Sequence, residues 1–405
     1  MRNFFIEIVK KRKTIILWTI FTLIFSLFLY KLNSKLTYKI PEDAEIGNKY
    51  EKAVIIGISK EILEPDPVFK YINIGKQYVK ARITTGNNKN KVIELINFVG
   101  RVDNRPVKVG SKIVVSSYDN FKTSIIVNYN REDAIYILLG IFVFLVLLFG
   151  KSKGFKSLFS LIFTMILVIF LFIPLVIKGI NPIMASTITV ILSTAITMIV
   201  LNGLTRKTAV AIFSCILCTI ISGIIALVFG KITNISTYNT AEAEDLLFIA
   251  ANTALNVKNL LFSGILISSL GAIMDTTMSI TSSIFEIVSI NNKLTKDELF
   301  KSGMNIGKDI MGTMTNTLIL AFTGSSVNIL IMYFMYKFPY VQLINIDLIV
   351  IEVVQGLSGG IAVILSIPIT AILASRLVGG KNKKKVCEKI FAINRGVSSD
   401  EGNFN

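Results

Sequence analysis

The sequence contains no histidine. That absence removes Ser-His and Cys-His nucleophile pairs, His-ligated zinc and His-ligated haem. Most familiar enzyme chemistries go with it, so the chain is expected not to be an enzyme and to carry no catalytic residue, metal ligand or cofactor. Cysteine is almost as scarce. Of Cys215, Cys218 and Cys387, the first two form a C-x-x-C. They lie in Ile212-Phe213-Ser214-Cys215-Ile216-Leu217-Cys218-Thr219-Ile220, which is apolar enough for lipid, and read as small packing residues rather than a metal or redox pair. Residues 31–133 hold no cysteine and therefore no disulfide. Acidic residues are few, 26 against 43 Lys+Arg, for a net charge of +17. In a soluble domain that excess would point to nucleic acid. Here it sits mostly in short loops between apolar blocks, where it orients membrane helices, and no nucleic-acid partner is expected.

What the sequence does have is long apolar blocks. With 52% apolar and 17% charged residues, blocks this long indicate a polytopic membrane protein. The basic cluster Lys10-Lys11-Arg12-Lys13 precedes an apolar run from Thr14 to Tyr30 with no small-residue cleavage site after it. An uncleaved anchor helix is expected, with a cytoplasmic N-terminus. Residues 31–133 form the only long polar region and alternate apolar and polar residues between turn signals. Tyr78–Thr84, Val92–Ile96, Pro106–Val115 and Thr123–Val127 read as strands, the last two joined around Asp119-Asn120. About five short strands suit a small closed barrel of OB-like type.

Further apolar blocks at 134–149, 155–177, 182–201, 207–229, 258–286, 310–335 and 347–375 bring the count to about eight membrane helices. The loops agree with that count. Lys151, Lys153, Lys156, Arg206, Lys207, Lys293, Lys296, Lys301 and the tail lysines Lys381, Lys383, Lys384 and Lys385 fall on one side. The other side holds Lys178, Lys337 and Glu242-Ala243-Glu244-Asp245. The expected fold is thus an all-α polytopic membrane protein of about eight transmembrane helices, with a small extracytoplasmic β-barrel-like domain between the first and second. Its parts are an N-terminus and anchor at 1–30, a β-domain at 31–133, a membrane body at 134–376 and a basic cytoplasmic tail at 377–405. Leu294, Thr295, Glu298 and Leu299 match a capping box with a hydrophobic staple, which predicts a short amphipathic helix from Lys296 to Met304 at the inner membrane surface. A second surface helix is expected within Thr240–Lys258.

The chemistry concentrates around Asp275, which lies inside one of the longest apolar stretches, Leu260–Met278. A carboxyl at bilayer depth is costly unless protonated, paired or facing water. Asp275, Ser279, Ser282 and Glu286 recur at i, i+4, i+7 and i+11, one stripe of a helix whose opposite face reads as apolar. The next helix repeats the device with Asp309, Thr313 and Asn316, and its Gly303, Gly307 and Gly312 permit close approach of a neighbour. The two polar stripes are expected to face each other. The last helix contributes Glu352, Gly356, Gly359, Gly360 and Pro368.

Three readings compete for Asp275. In the first it is a protonation switch, taking up a proton when desolvated and releasing it when exposed to water or to Lys308. In the second it is a packing residue satisfied by Thr313, Thr315 or Asn316. The third pairs it with Asp309 as an intramembrane aspartyl protease, but Gly271-Ala272-Ile273-Met274-Asp275 is not the G-x-G-D of such enzymes. The first reading makes the protein a transporter or proton-coupled conformational machine. Asp275, Ser279, Thr313 and Asn316 then form the relay, and Lys308 with Asp309 the cytoplasmic gate. Glu286, free to snorkel or pair with Lys293, and Glu352, near the opposite end, are secondary candidates. The alternative is a non-transporting scaffold or assembly factor whose external domain binds an envelope component. Membrane lipid is the certain partner; the transported or envelope ligand is open, with room for a homo-oligomer or a second membrane subunit.

These segments resemble the YibE/F family of bacterial multi-pass membrane proteins. The residues that carry the resemblance are Gly271–Ile280, then Gly307-Lys308-Asp309-Ile310-Met311-Gly312-Thr313-Met314-Thr315-Asn316-Thr317, Gly324-Ser325-Ser326, and Glu352 with Gly359-Gly360 and Pro368–Ala371. The resemblance implies a bacterial cytoplasmic-membrane location and brings no assigned activity. A more distant likeness is to the second half of SecF, within the proton-driven RND superfamily. There Ile273-Met274-Asp275-Thr276 parallels an I-N-D-T segment, and Thr313–Thr317 resembles a helix rich in Thr and Ser. That likeness implies proton coupling through Asp275.

Overall fold

The computed structural model describes residues 25–27, 29–31, 33, 49–117, 121 and 123–378. Most of the expected anchor helix, the Asp119-Asn120 turn and nearly all of the basic tail lie outside the described residues. Two compact units divide the chain, Lys39–Lys151, and Met1–Tyr38 with Ser152–Asn405.

The first unit is built on one long strand. β1 (Lys49–Pro65) pairs antiparallel with β2 (Asn73–Ile83) over most of its length and with β4 (Lys112–Ser117) over its first residues. β3 (Val92–Val99) and β5 (Ser124–Tyr129) form the edges, giving the order β3-β2-β1-β4-β5. Strict alternation of burial along β3 shows why it forms, with Ile93, Leu95 and Val99 inward and Val92, Glu94 and Phe98 outward. Register shifts in β1 at Ile55/Gly57 and Ile58/Lys60 bend the sheet. The edges β3 and β5 approach each other without pairing. The domain is therefore a curled half-barrel and not the closed OB-like barrel expected. An OB barrel needs a strand pairing that seals the edges, and here the sheet instead curls around Ile55, Ala81, Ile83, Ile113 and Val115.

Pro106–Val115, expected as one strand, enters the sheet only at Lys112. Gln77 supplies the reason. Its buried amide accepts from Val107 N at 2.8 Å and donates to Val107 O at 3.0 Å, while Asn97 donates to Gln77 Oε1 at 3.0 Å and to Arg105 O at 2.8 Å. Side-chain amides thus take the place of a ladder and hold this segment over the core.

Several helices open on a side-chain cap. α1 (Glu132–Leu167) runs through a π-helical turn (Val168–Phe172) into α2 (Ile173–Ile177). Pro174 brings the wide turn about, because it has no N–H for the carbonyl of Phe170, four residues earlier. Asn33 Nδ2 donates to that carbonyl at 2.6 Å instead. Asn181 caps α3 (Pro182–Asn202), and Thr205 accepts from Thr208 N to start α4 (Arg206–Ile232). α5 (Ala243–Ala251) is the expected short helix within 240–258, and α6 (Leu260–Ile290) follows it. α7 (Lys296–Ser325) opens on the expected capping box, with Thr295 and Glu298 bonded reciprocally. It does not stop near Met304, so no separate surface helix exists there. With no Pro or cap signal after the box, the helix simply continues. α8 (Val327–Met335), α9 (Tyr340–Leu343) and α10 (Asp347–Val378) complete the chain. α6 packs on α3, α4, α7 and α10, and α10 also on α4 and α7.

Among the described residues five helical segments are long and apolar enough to cross a membrane, or six if the bent pair α7–α8 counts as one. The expectation of eight is corrected at two places. The blocks at 134–149 and 155–177 fall in one candidate span, Glu132–Ile177, in which two helices meet at a kink where Lys151 leaves helical angles (φ 46, ψ −126). The block at 310–335 bends by 63° after Ser325. The anchor lies mostly outside the described residues. Because the side assigned to each loop follows from the number of crossings, the expected alternation of basic loops no longer follows from the count.

Candidate functional site

On α6 one stripe is left uncovered. Gly264, Ser268, Gly271, Asp275, Ser279 and Glu286 recur at i, i+4, i+7, i+11, i+15 and i+22, and all are exposed. Nothing stands within 4 Å of the Cβ positions of Gly264 and Gly271, so the stripe is open in front of them. Ser282, expected on the same line, is half-buried. The opposite face is not purely apolar as expected, since Thr276, Thr277 and Thr281 are buried beside Ile273, Ile280 and Ile284. Their hydroxyls return to the helix's own carbonyls, on Ala272 at 2.8 Å, Met274 at 3.0 Å and Thr277 at 2.7 Å. A threonine that serves its own turn packs like valine, so the polar and packing faces separate by available partners rather than by residue type.

Among the described residues Asp275 has no hydrogen-bond or ion-pair partner. Ser268, two turns away, receives a weak 3.5 Å contact from Gln355 of α10. Along α7, Lys308, Asp309, Gly312, Thr313 and Asn316 are likewise exposed. Thr313 Oγ1 donates to Ile310 O at 2.9 Å. None of Asp275, Ser279, Thr313 and Asn316 hydrogen-bonds to another of the four, so the facing stripes expected are not joined in this conformation. The α6–α7 contact runs instead through Gly303, where an added Cβ would lie 2.7 Å from Ile284 Cδ1 and 3.1 Å from Ala371 Cβ. Lys308 and Asp309 make no ion pair with each other, being neighbours about 100° apart around the helix. Glu286 is exposed and unpaired with Lys293.

A second polar site in the membrane body forms around Glu352. Ser326 Oγ, just past the end of α7, donates to Glu352 Oε1 at 2.6 Å. Glu352 Oε2 is enclosed without a partner. Both residues line a cavity of about 300 Å³ with Phe322, Leu330, Ile349 and Val353. Sequence reasoning ranked Glu352 second, and the Ser326 contact was missed. The signal available was Gly324-Ser325-Ser326, a small polar triplet breaking an apolar run at the place where α7 gives way to α8.

The candidate spans and the separate sheet domain make this a polytopic membrane protein with an extracytoplasmic sheet domain. Residues 138–380 match the family model described as YibE/F-like protein, and the chain belongs to the YibE/F family. No curated protein and no solved structure matches it.

Proposed function

We propose that this YibE/F-family protein is a transporter or proton-coupled conformational machine of the cytoplasmic membrane, in which Asp275 takes up and releases the coupling proton. The observation that carries the reading is an unpartnered carboxyl on an uncovered stripe of glycine and serine within a membrane helix. Facing lipid at a helix centre, an ionised Asp costs about 2.5–3.5 kcal/mol. A hydrated cleft or a bound proton relieves that cost, and alternation between the two is a transport cycle. Ser279 lies one turn from Asp275. Thr313 and Asn316 become its partners in a second conformation, for which Thr313 must release Ile310 O. Lys308 and Asp309, exposed on α7, serve as the gate.

The test is modification of Asp275 by a hydrophobic carbodiimide in native membranes across pH, with Asp275→Asn and a Glu286→Gln, Glu352→Gln double variant as controls. Labelling that titrates near neutral pH supports the reading. Labelling unchanged to high pH identifies a fixed protonated donor and supports the scaffold reading. That second reading rests on Tyr71, Val102 and Phe98, exposed on the sheet domain as a docking surface for an envelope component.

A further inference from the structure

The cavity beside Glu352 has a chemistry of its own. It forms because α7 and α8 diverge by 63° at Ser326 while α10 passes beside the break. Its volume, about 300 Å³, stands at the small end of ligand sites. The lining is apolar except at one place. There Glu352 lines the cavity, one oxygen bonded by Ser326 at 2.6 Å and the other enclosed beside the cavity with no donor. The other lining hydroxyl, on Thr323, is spent on Ile319 O at 2.9 Å.

This arrangement selects among cations. Calcium and magnesium need six or more oxygen ligands, and no cluster of three candidate metal ligands occurs among the described residues. A guanidinium recognises a carboxylate through two parallel bonds, and one of the two oxygens is occupied. An ammonium needs only a single acceptor for one of its donors, and the apolar walls favour one that carries hydrocarbon. We propose that this cavity binds an amine with an apolar body, its ammonium donating to Glu352 Oε2 as the carboxylate turns that enclosed oxygen toward the cavity, and its hydrocarbon lying against Phe322, Leu330 and Val353. Two sources share that chemistry, a free lipophilic amine and the headgroup of an aminophospholipid. The inference is independent of the role given to Asp275.

The experiment uses the full chain in nanodiscs of phosphatidylglycerol, which has no amine. A diazirine-bearing dodecylamine and the alcohol of the same chain are photo-crosslinked and the adducts mapped. The amine is expected to label the segments 319–330 and 349–357 at least tenfold more than the alcohol, Glu352→Gln to abolish the difference, and Ser326→Ala to keep it. Equal labelling by amine and alcohol in the unmodified protein overturns the proposal whether or not Glu352→Gln folds. So does amine labelling that survives Glu352→Gln. Replacing part of the lipid by phosphatidylethanolamine separates the sources. Loss of amine labelling assigns the site to the headgroup, and unchanged labelling assigns it to a free amine; both support the chemistry proposed.

Discussion

Two glycines of α7, five residues apart, should respond to alanine in opposite directions. At Gly307 an added Cβ would stand 2.1 Å from Ile367 Cγ2 and 3.1 Å from its Cβ. Ile367 is branched and only 2% exposed, so it has no flexible end to withdraw and no room to turn. Relieving the overlap must separate α7 from α10, at the upper end of the about 1–3 kcal/mol typical of overpacked cores. Alanine regains about 1 kcal/mol of helix propensity over glycine, leaving Gly307→Ala destabilised by about 2 kcal/mol. At Gly312 nothing stands within 4 Å of the added atom, so Gly312→Ala keeps the propensity gain of about 1 kcal/mol without a clash. The two variants should differ by about 3 kcal/mol. Cys215 and Cys218 are fully buried and supply the assay. In a Cys387→Ser background, a thiol-reactive dye reports their exposure as the purified protein is heated in detergent. Gly307→Ala should melt several degrees below the parent and Gly312→Ala at or above it. Adding Ile367→Ala to Gly307→Ala should cost less than the sum of the two single changes. Equal melting of the two alanine variants, or strict additivity with Ile367→Ala, would refute the packing described for α7 and α10.

Three other expectations concern the sheet domain and the start of α7. Asp66 is fully enclosed and its carboxyl is held down from 3.8 to about 2, chiefly by the hydrogen bond from Arg101, with burial opposing and the N–H groups of Phe69 and Val68 assisting. Its contribution to stability is complete above pH 3.8 and disappears as the pH falls through about 2, so Arg101→Ala should move the acid unfolding of the sheet domain, followed by tyrosine fluorescence, to higher pH; coincident acid profiles would contradict this. Gln77→Ala strips buried partners from Val107 and Asn97 and should cost about 2–3 kcal/mol, with faster hydrogen exchange at Val107 as its local sign. Thr295→Ala removes one half of the capping box and should cost about 1 kcal/mol, read as lost protection of the Glu298 amide.

What could be read from the sequence divides along physical lines. Period-two alternation located β2 and β3 because each has one face in the core, and a helical period found the Asp275 stripe and the Thr295 box, both local patterns. β1 was not read as a single strand because Gly57 and the register shifts around it break its alternation. Sheet closure was misjudged because it depends on whether two distant edges pair, which no local pattern records. The span count failed where the chain kinks at Lys151 and bends after Ser325, because residue spacing records neither angle. The Glu352 site depends on the α7–α8 bend and on one oxygen lacking a donor, facts of three-dimensional placement that residue spacing does not carry.

The central claim is that the Asp275 stripe faces water within the membrane. Single cysteines at Ser268, Gly271 and Ser279, in a background lacking Cys215, Cys218 and Cys387, test it with a small hydrophilic thiol reagent applied to native membranes. Cysteines at Ile224 and Val228, exposed on α4 at 53% and 49%, give the lipid-facing reference. The account predicts reaction at the three stripe positions and none at the two references. Stripe positions as unreactive as Ile224 and Val228 would mean that lipid or another protein surface covers Asp275, and would contradict proton exchange through it.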